Sequence, residues 1–312
     1  MESIVVVIPA YNNADTLSDA LASVSMQSVS PAEVVVSDDG STDDTADVAR
    51  TWLDRLPLRI VESSHNTEPG MARHRAIEAS SAGLVSMLDS DDIWLPDHLE
   101  TLLTLFRRHG GIALARALQW APGEVLALGP ADRARLPAPA RQLRAMYIGS
   151  YAGPDSLFER SLYDSSGGFR PGFRGCEEWD LYIRMLRSGA RMHRAAQPTI
   201  LRRVRAGSLT WDDRGIDDRV RVLEVARTEV AHRGEQGGIR IGLRHIRAER
   251  SLVRAYQLAG AARRAEARRA ALGACRGTPR MALRGLAMMI APSTTALLRA
   301  DVRASPSKRA RR

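Results

Sequence analysis

With 312 residues, 44% of them apolar, the chain has material for one large or two modest domains and belongs among globular, soluble proteins. Its two cysteines, Cys176 and Cys275, exclude a disulfide framework or a cysteine zinc site and fit a reducing compartment. The net charge of +9 is uneven: residues 215–312 hold 22 Arg or Lys against 8 Asp or Glu, a net of +14, so residues 1–214 carry −5. A basic end suits an anionic surface, either lipid headgroups or nucleic acid. Arginine bias alone says little about partners, because all basic residues there except Lys308 are arginine, as GC-rich coding would produce.

In chain order, Ile4-Val5-Val6-Val7-Ile8 reads as a strand with no basic leader before it, as expected of a protein that stays in the cytoplasm. A helix is predicted near 14–26, a strand near 33–37, a helix near 43–55 and a strand near 58–62. A helix near 70–80, a strand near 84–88 and a helix near 96–108 follow. Strands of nearly unbroken Val and Ile, alternating with helices, make a doubly wound α/β domain whose mostly parallel sheet is buried on both faces. Ligands of such sheets bind beyond the carboxyl ends of the strands. Those ends are Pro9-Ala10-Tyr11-Asn12, Asp38-Asp39-Gly40-Ser41, the loop over 63–70 and Asp89-Ser90-Asp91-Asp92.

From 121 to 145 the pattern dissolves into Pro, Gly, Ala and Arg, which predicts a crossing loop or irregular insertion. Order returns over 147–160; Gly167-Gly168 predicts a turn before a helix at Glu177–Leu186 with acidic residues in its first turn. Beyond 215 the chain reads as Ala- and Arg-rich helices. Met281–Leu298 is apolar but broken by Arg284 and Pro292, so it is either an interfacial membrane helix or one packed on the main domain. The end, 304–312, reads as disordered.

Three carboxylates within four residues, Asp89, Asp91 and Asp92, repel one another unless a cation or several donors hold them ionised. The cluster is therefore either a divalent-cation site or a polar turn capping the helix that Pro96 begins.

Taken together, Val7-Ile8-Pro9-Ala10-Tyr11-Asn12, Val36-Ser37-Asp38-Asp39-Gly40-Ser41, Leu88-Asp89-Ser90-Asp91-Asp92 and Glu177-Glu178-Trp179-Asp180-Leu181 resemble, in order and spacing, the family 2 inverting glycosyltransferases of GT-A fold. The resemblance covers about residues 3–211. It implies a GT-A domain over 1–214 with a basic α-helical C-terminal extension over 215–312. It also implies a non-processive transferase that moves a sugar from a nucleotide diphosphate donor to an acceptor hydroxyl.

By position, Pro9, Ala10 and Tyr11 would line the base pocket, and Asp39 would accept from a nucleobase ring N–H, which favours a UDP- or dTDP-sugar. Arg73 would face the diphosphate. Asp89 and Ser90 would contact the donor, Asp89 at its ribose, and Asp91, beside Asp89, would hold Mg²⁺ or Mn²⁺. Asp92 would cap the following turn and tolerate substitution better than Asp91. Glu178 stands where the family has its general base, commonly Asp, with Glu177 as the alternative base or an acceptor contact. Trp179 either stacks on an acceptor sugar or fills the core, and Asp180 would stabilise the helix start. Arg205 replaces a family histidine and either pairs with a phosphate or stays on the surface.

The acceptor would be a polysaccharide or glycolipid intermediate on a lipid carrier, or a small natural-product scaffold. The protein would sit in the cytoplasm, peripheral on the inner face of the membrane, and no nucleic acid is expected as a partner. A nucleotidyltransferase of similar fold and a catalytically silent binding module are the rival readings.

Overall fold

The computed structural model of the protein describes residues 2–120, 127–128, 132, 135–204, 213–261, 263–277, 283 and 286. Strand β1 (Ile4–Ala10) lies between β2 (Glu33–Asp38) and β4 (Leu84–Met87), and β3 (Leu58–Glu62) flanks β2, all four parallel. These strands are apolar on both sides because helices cover both faces of the sheet. Val5, Val6, Val7, Ile8, Val34, Val35 and Val36 accordingly have no exposed surface. Helices α1 (Leu17–Ser25), α2 (Thr45–Arg50), α3 (Pro69–Glu78) and α4 (His98–His109) separate the strands.

Three further strands, β6 (Ile112–Leu114), β9 (Ser156–Glu159) and β10 (Met192–Arg194), complete a seven-stranded sheet in the order β10-β6-β9-β4-β1-β2-β3. Among these, only β9 runs antiparallel to its neighbours. A smaller sheet orders β5 (Ile93–Trp94), β11 (Ile200–Arg203), β7 (Ala117–Trp120) and β8 (Ala127–Leu128). The chain steps outward from β1 through β2 to β3, then returns to the other side of β1 with β4. The crevice beyond the carboxyl ends of β1 and β4 is thus the point where strand order reverses.

Two predicted elements differ. The helix expected near 43–55 ends at Arg50 and continues as turns, because Trp52 and Leu56 reach the core from turn positions that mimic helical spacing. Within 121–145, the segment from Pro139 is ordered as a 3₁₀ turn leading into helix α5 (Gln142–Ile148). Its anchor is Gln142, whose Nε2 donates to Met192 O at 2.8 Å and whose Oε1 accepts from Met192 N at 2.9 Å. Helices α6 (Arg160–Ser165) and α7 (Glu177–Arg187) follow β9.

The chain divides into two compact units, residues 1–146 with 150–204, and 147–149 with 205–312. The second is helical, with α8 (Asp213–Glu229), α9 (Arg233–Gly260) and α10 (Arg264–Ala274). Leu252 and Ala255 of α9 share a small core with Ala271 and Ala274 of α10. Among the described residues no helix is long and apolar enough to cross a membrane. Apart from Leu283 and Leu286, the segment 281–298 lies outside the described residues, as does the end 304–312.

Candidate active site

Side-chain hydrogen bonds sew the loops at the reversal point together. Ser90 Oγ donates to Asn13 Oδ1 at 2.9 Å, joining the β4 loop to the β1 loop. Asn12 N donates to Ser41 Oγ at 2.9 Å, and Asn12 Oδ1 accepts from Thr42 N at 2.8 Å, joining β1 to β2. Asn12 adopts φ +52°, a left-handed conformation that asparagine tolerates better than most residues. Ala10 is buried, Pro9 partly so, and Tyr11 is 43% exposed at the mouth of the crevice.

Asp39 is buried, and its partners come from the protein itself. Oδ1 accepts from Thr67 Oγ1 at 2.7 Å and from Arg75 Nη2, and Oδ2 accepts from Thr67 N at 2.9 Å. A carboxylate offers about four lone-pair sites, so Oδ2 retains capacity for one further donor. The sequence reading of Asp39 as a base contact omitted this anchoring of the β3–α3 loop. Gly40, at φ +76°, lets the turn pack on that loop, since a Cβ there would lie 2.6 Å from the His65 carbonyl carbon.

The carboxylates of Asp89, Asp91 and Asp92 each place an oxygen within 4.8 Å of the others. Three hard oxygen donors, with Asp89 and Asp91 partly open to solvent, fit a hard divalent cation. Asp92 is no helix cap: α4 begins after Asp97, and β5 intervenes. Its Oδ1 instead accepts from Arg203 N at 2.9 Å, and Arg202 Nε lies 3.7 Å from Oδ2. Burial pushes the Asp92 carboxyl well above the usual carboxylate range, with Arg202 opposing.

Arg202 also pairs with Asp155 and stands 3.6 Å from Asp132. Burial pushes Asp155 up to about 6 against the pull of Arg202. Arg203 donates from Nε to Asp91 O at 3.1 Å and from Nη2 to Asp19 Oδ2 at 2.8 Å, while its guanidinium lies 4.6 Å from the centre of a Trp120 ring. Strand β11 therefore clasps the acidic loop from behind. Arg75, Asp155, Arg202 and Arg203 were not predicted as site residues; the adjacent arginines at the end of β11 were the only local signal.

Across the crevice, buried Arg73 on α3 pairs with both Asp89 and Glu177. Burial works against its charge, but Asp89, Glu177 and Glu178 more than offset this and raise its pKa. Gly70 permits the contact, since a Cβ there would lie 2.9 Å from Glu177 Cγ. Glu177 is buried and engaged by Arg73. The partly buried Glu178 carboxyl is pushed up to about 8 by burial and by the charge of Glu177, with Arg73 opposing.

Trp179 is packed in the core. It is 1% exposed, and its Nε1 donates to Met146 O at 2.9 Å. Asp180 is buried in an ion pair with Arg184 at 2.7 Å. His74 hydrogen-bonds Tyr163 Oη through Nδ1 at 2.8 Å. Arg205 lies outside the described residues.

Residues 5–165 match the family model Glycosyl transferase family 2. Over 266 residues the chain is 33% identical to the succinoglycan biosynthesis protein ExoU of Rhizobium meliloti (strain 1021), covering 78% of this chain and 75% of that protein. Among solved structures, S. aureus TarS 1-349 in complex with UDP-GlcNAc aligns with a TM-score of 0.65 at 17% identity, covering 95% of this chain and 91% of that one. The mannosyltransferase PcManGT from Pyrobaculum calidifontis, in complex with GDP-Man and Mn²⁺, aligns with a TM-score of 0.61 at 21% identity, covering 97% and 85%. These two likenesses establish a shared fold.

Proposed function

The chain belongs to glycosyl transferase family 2, and on that premise we propose that it moves one sugar from a nucleotide diphosphate donor to an acceptor hydroxyl with inversion at the anomeric carbon. The observation that carries this reading is one continuous line of charges across the crevice: the Asp89–Asp91–Asp92 cluster, then Arg73, then Glu177 beside Glu178.

Tyr11 and the remaining lone pair of Asp39 Oδ2 would receive the base, and a ring N–H donor there favours a uracil or thymine nucleotide. Asp89 would orient the ribose. Mg²⁺ or Mn²⁺ would be held by Asp91 with Asp89, where it would neutralise the departing diphosphate. Arg73, fixed in its charged form by two carboxylates, holds Asp89 on the donor side and Glu177 at the start of α7 on the other. Glu178 would take the proton from the attacking hydroxyl, and a raised pKa suits that work near neutral pH. TarS was crystallised with UDP-GlcNAc and PcManGT with GDP-Man and Mn²⁺, in keeping with a nucleotide-sugar donor and a cation. ExoU is named for succinoglycan biosynthesis, which supports a role in polysaccharide synthesis; the acceptor would be an intermediate of that synthesis on a lipid carrier. Catalysis is assigned to residues 1–214, with 215–312 as a helical extension.

The test is turnover of a panel of UDP-, dTDP- and GDP-sugars with Mn²⁺, in the wild-type protein and in Glu178→Gln. One donor should be hydrolysed or transferred, giving a product of inverted anomeric configuration by NMR, and the variant should bind that donor without turning it over. Absence of both turnover and nucleotide-induced thermal stabilisation for every donor overturns the reading.

A further inference from the structure

Helix α9 sorts its charge onto one face. Between Glu235 and Tyr256 its exposed residues are Arg240, Arg244, Arg247 and Arg254, arginine in every case, while Arg250, off this stripe, pairs with Asp217. At about 100° per residue, these and the exposed Arg233 fall within an arc of about 80° and along about 32 Å of helix. The helix buries Ile239, Ile246, Leu252 and Ala255 on its remaining circumference. Its two acids turn away from the stripe and are engaged there, Glu235 accepting from Tyr147 Oη at 2.6 Å and Glu249 pairing with Arg219 at 2.7 Å. Arg247 has Glu224 at 3.6 Å, with both side chains exposed.

Codon bias raises the number of arginines but does not sort them onto one face. Like charges at helical spacings of three and four destabilise the helix, and a polyanionic surface relieves that cost. The neighbouring helix α10 exposes Leu272, 57% accessible, four residues from each of the exposed Arg268 and Arg276. A leucine framed by arginines is the composition of a helix at a lipid boundary rather than on a nucleic-acid backbone.

We propose that the α9 arginine stripe docks the protein on an anionic lipid bilayer, the guanidinium groups pairing with headgroup phosphates. The inference rests on the proposed function only in that a lipid-linked acceptor gives the protein a reason to be at a membrane.

The experiment is co-sedimentation of the full chain with vesicles of phosphatidylcholine alone or mixed with phosphatidylglycerol. Binding is expected to the mixed vesicles only, and to weaken with salt. Combined Arg240→Gln, Arg244→Gln and Arg254→Gln substitution should lower affinity about 100-fold. The same loss of charge at three exposed arginines outside the helical unit, through Arg108→Gln, Arg135→Gln and Arg141→Gln, should leave it nearly unchanged. Thermal midpoints and nucleotide-sugar hydrolysis should be unaltered in both variants. Equal loss in both, no binding to mixed vesicles, or stripe-dependent retention of duplex DNA that vesicles do not displace would overturn the proposal. Vesicle binding is read without a donor, so its failure leaves glycosyl transfer standing, and absent turnover leaves docking standing.

Discussion

Glu178→Gln separates a base from a structural carboxylate because the two roles move stability and activity in opposite directions. Burial and the neighbouring Glu177 raise the Glu178 pKa from 4.5 to about 8. The folded state therefore binds this proton more tightly than the unfolded chain does. Its favourable contribution is complete below pH 4.5 and is lost as pH rises through 8. At 1.36 kcal/mol per pH unit, keeping the ionised group in place costs up to about 5 kcal/mol at alkaline pH. The neutral glutamine avoids this cost, so Glu178→Gln should match wild type near pH 4 and exceed it in chemical denaturation above pH 8. Activity should fall by about 10²–10⁴-fold, the usual worth of a positioned base.

The wild-type kcat/KM, followed by release of nucleoside diphosphate, should rise with pH along a limb at or below 8, because a bound cation pulls a nearby carboxyl down. That limb should vanish in the variant. A variant that keeps wild-type turnover with its limb intact, or that is destabilised at alkaline pH, refutes the reasoning.

Asp92→Ala, expected from sequence to be tolerated better than a change at Asp91, should still cost about 1–3 kcal/mol in denaturant unfolding, since it leaves the Arg203 N–H without its acceptor and takes one of three neighbouring carboxylates from Arg202. Gly70→Ala pushes a methyl against Glu177 and should cost about 1–3 kcal/mol; it should also lower kcat more than it raises donor KM, read by steady-state kinetics. Trp179→Phe removes the bond to Met146 O and should lower stability by about 1 kcal/mol while leaving acceptor KM unchanged.

Strands β1 to β4 were legible in the sequence because a sheet buried on both faces writes itself as unbroken Val and Ile. The loops at their carboxyl ends were legible because few other reasons gather Asp39, Asp89 and Asp91 at such positions. Trp179 was ambiguous because α7 buries most of its circumference, including Leu181, Tyr182, Ile183 and Met185, so no polar face orients the indole. The Arg202–Asp155 pair spans 47 positions and leaves no local pattern. Arg73 could be placed on its helix, but its two carboxylate partners arise from the β4 loop and from α7, and only the assembled sheet brings those together.

The most direct test is calorimetric titration of the hydrolysed nucleotide-sugar into wild type, Asp91→Asn and Glu178→Gln, each with and without Mn²⁺. The account predicts Mn²⁺-dependent binding in wild type and in Glu178→Gln, and loss of the Mn²⁺ dependence in Asp91→Asn. Binding in Asp91→Asn that Mn²⁺ still enhances to the wild-type extent would contradict it.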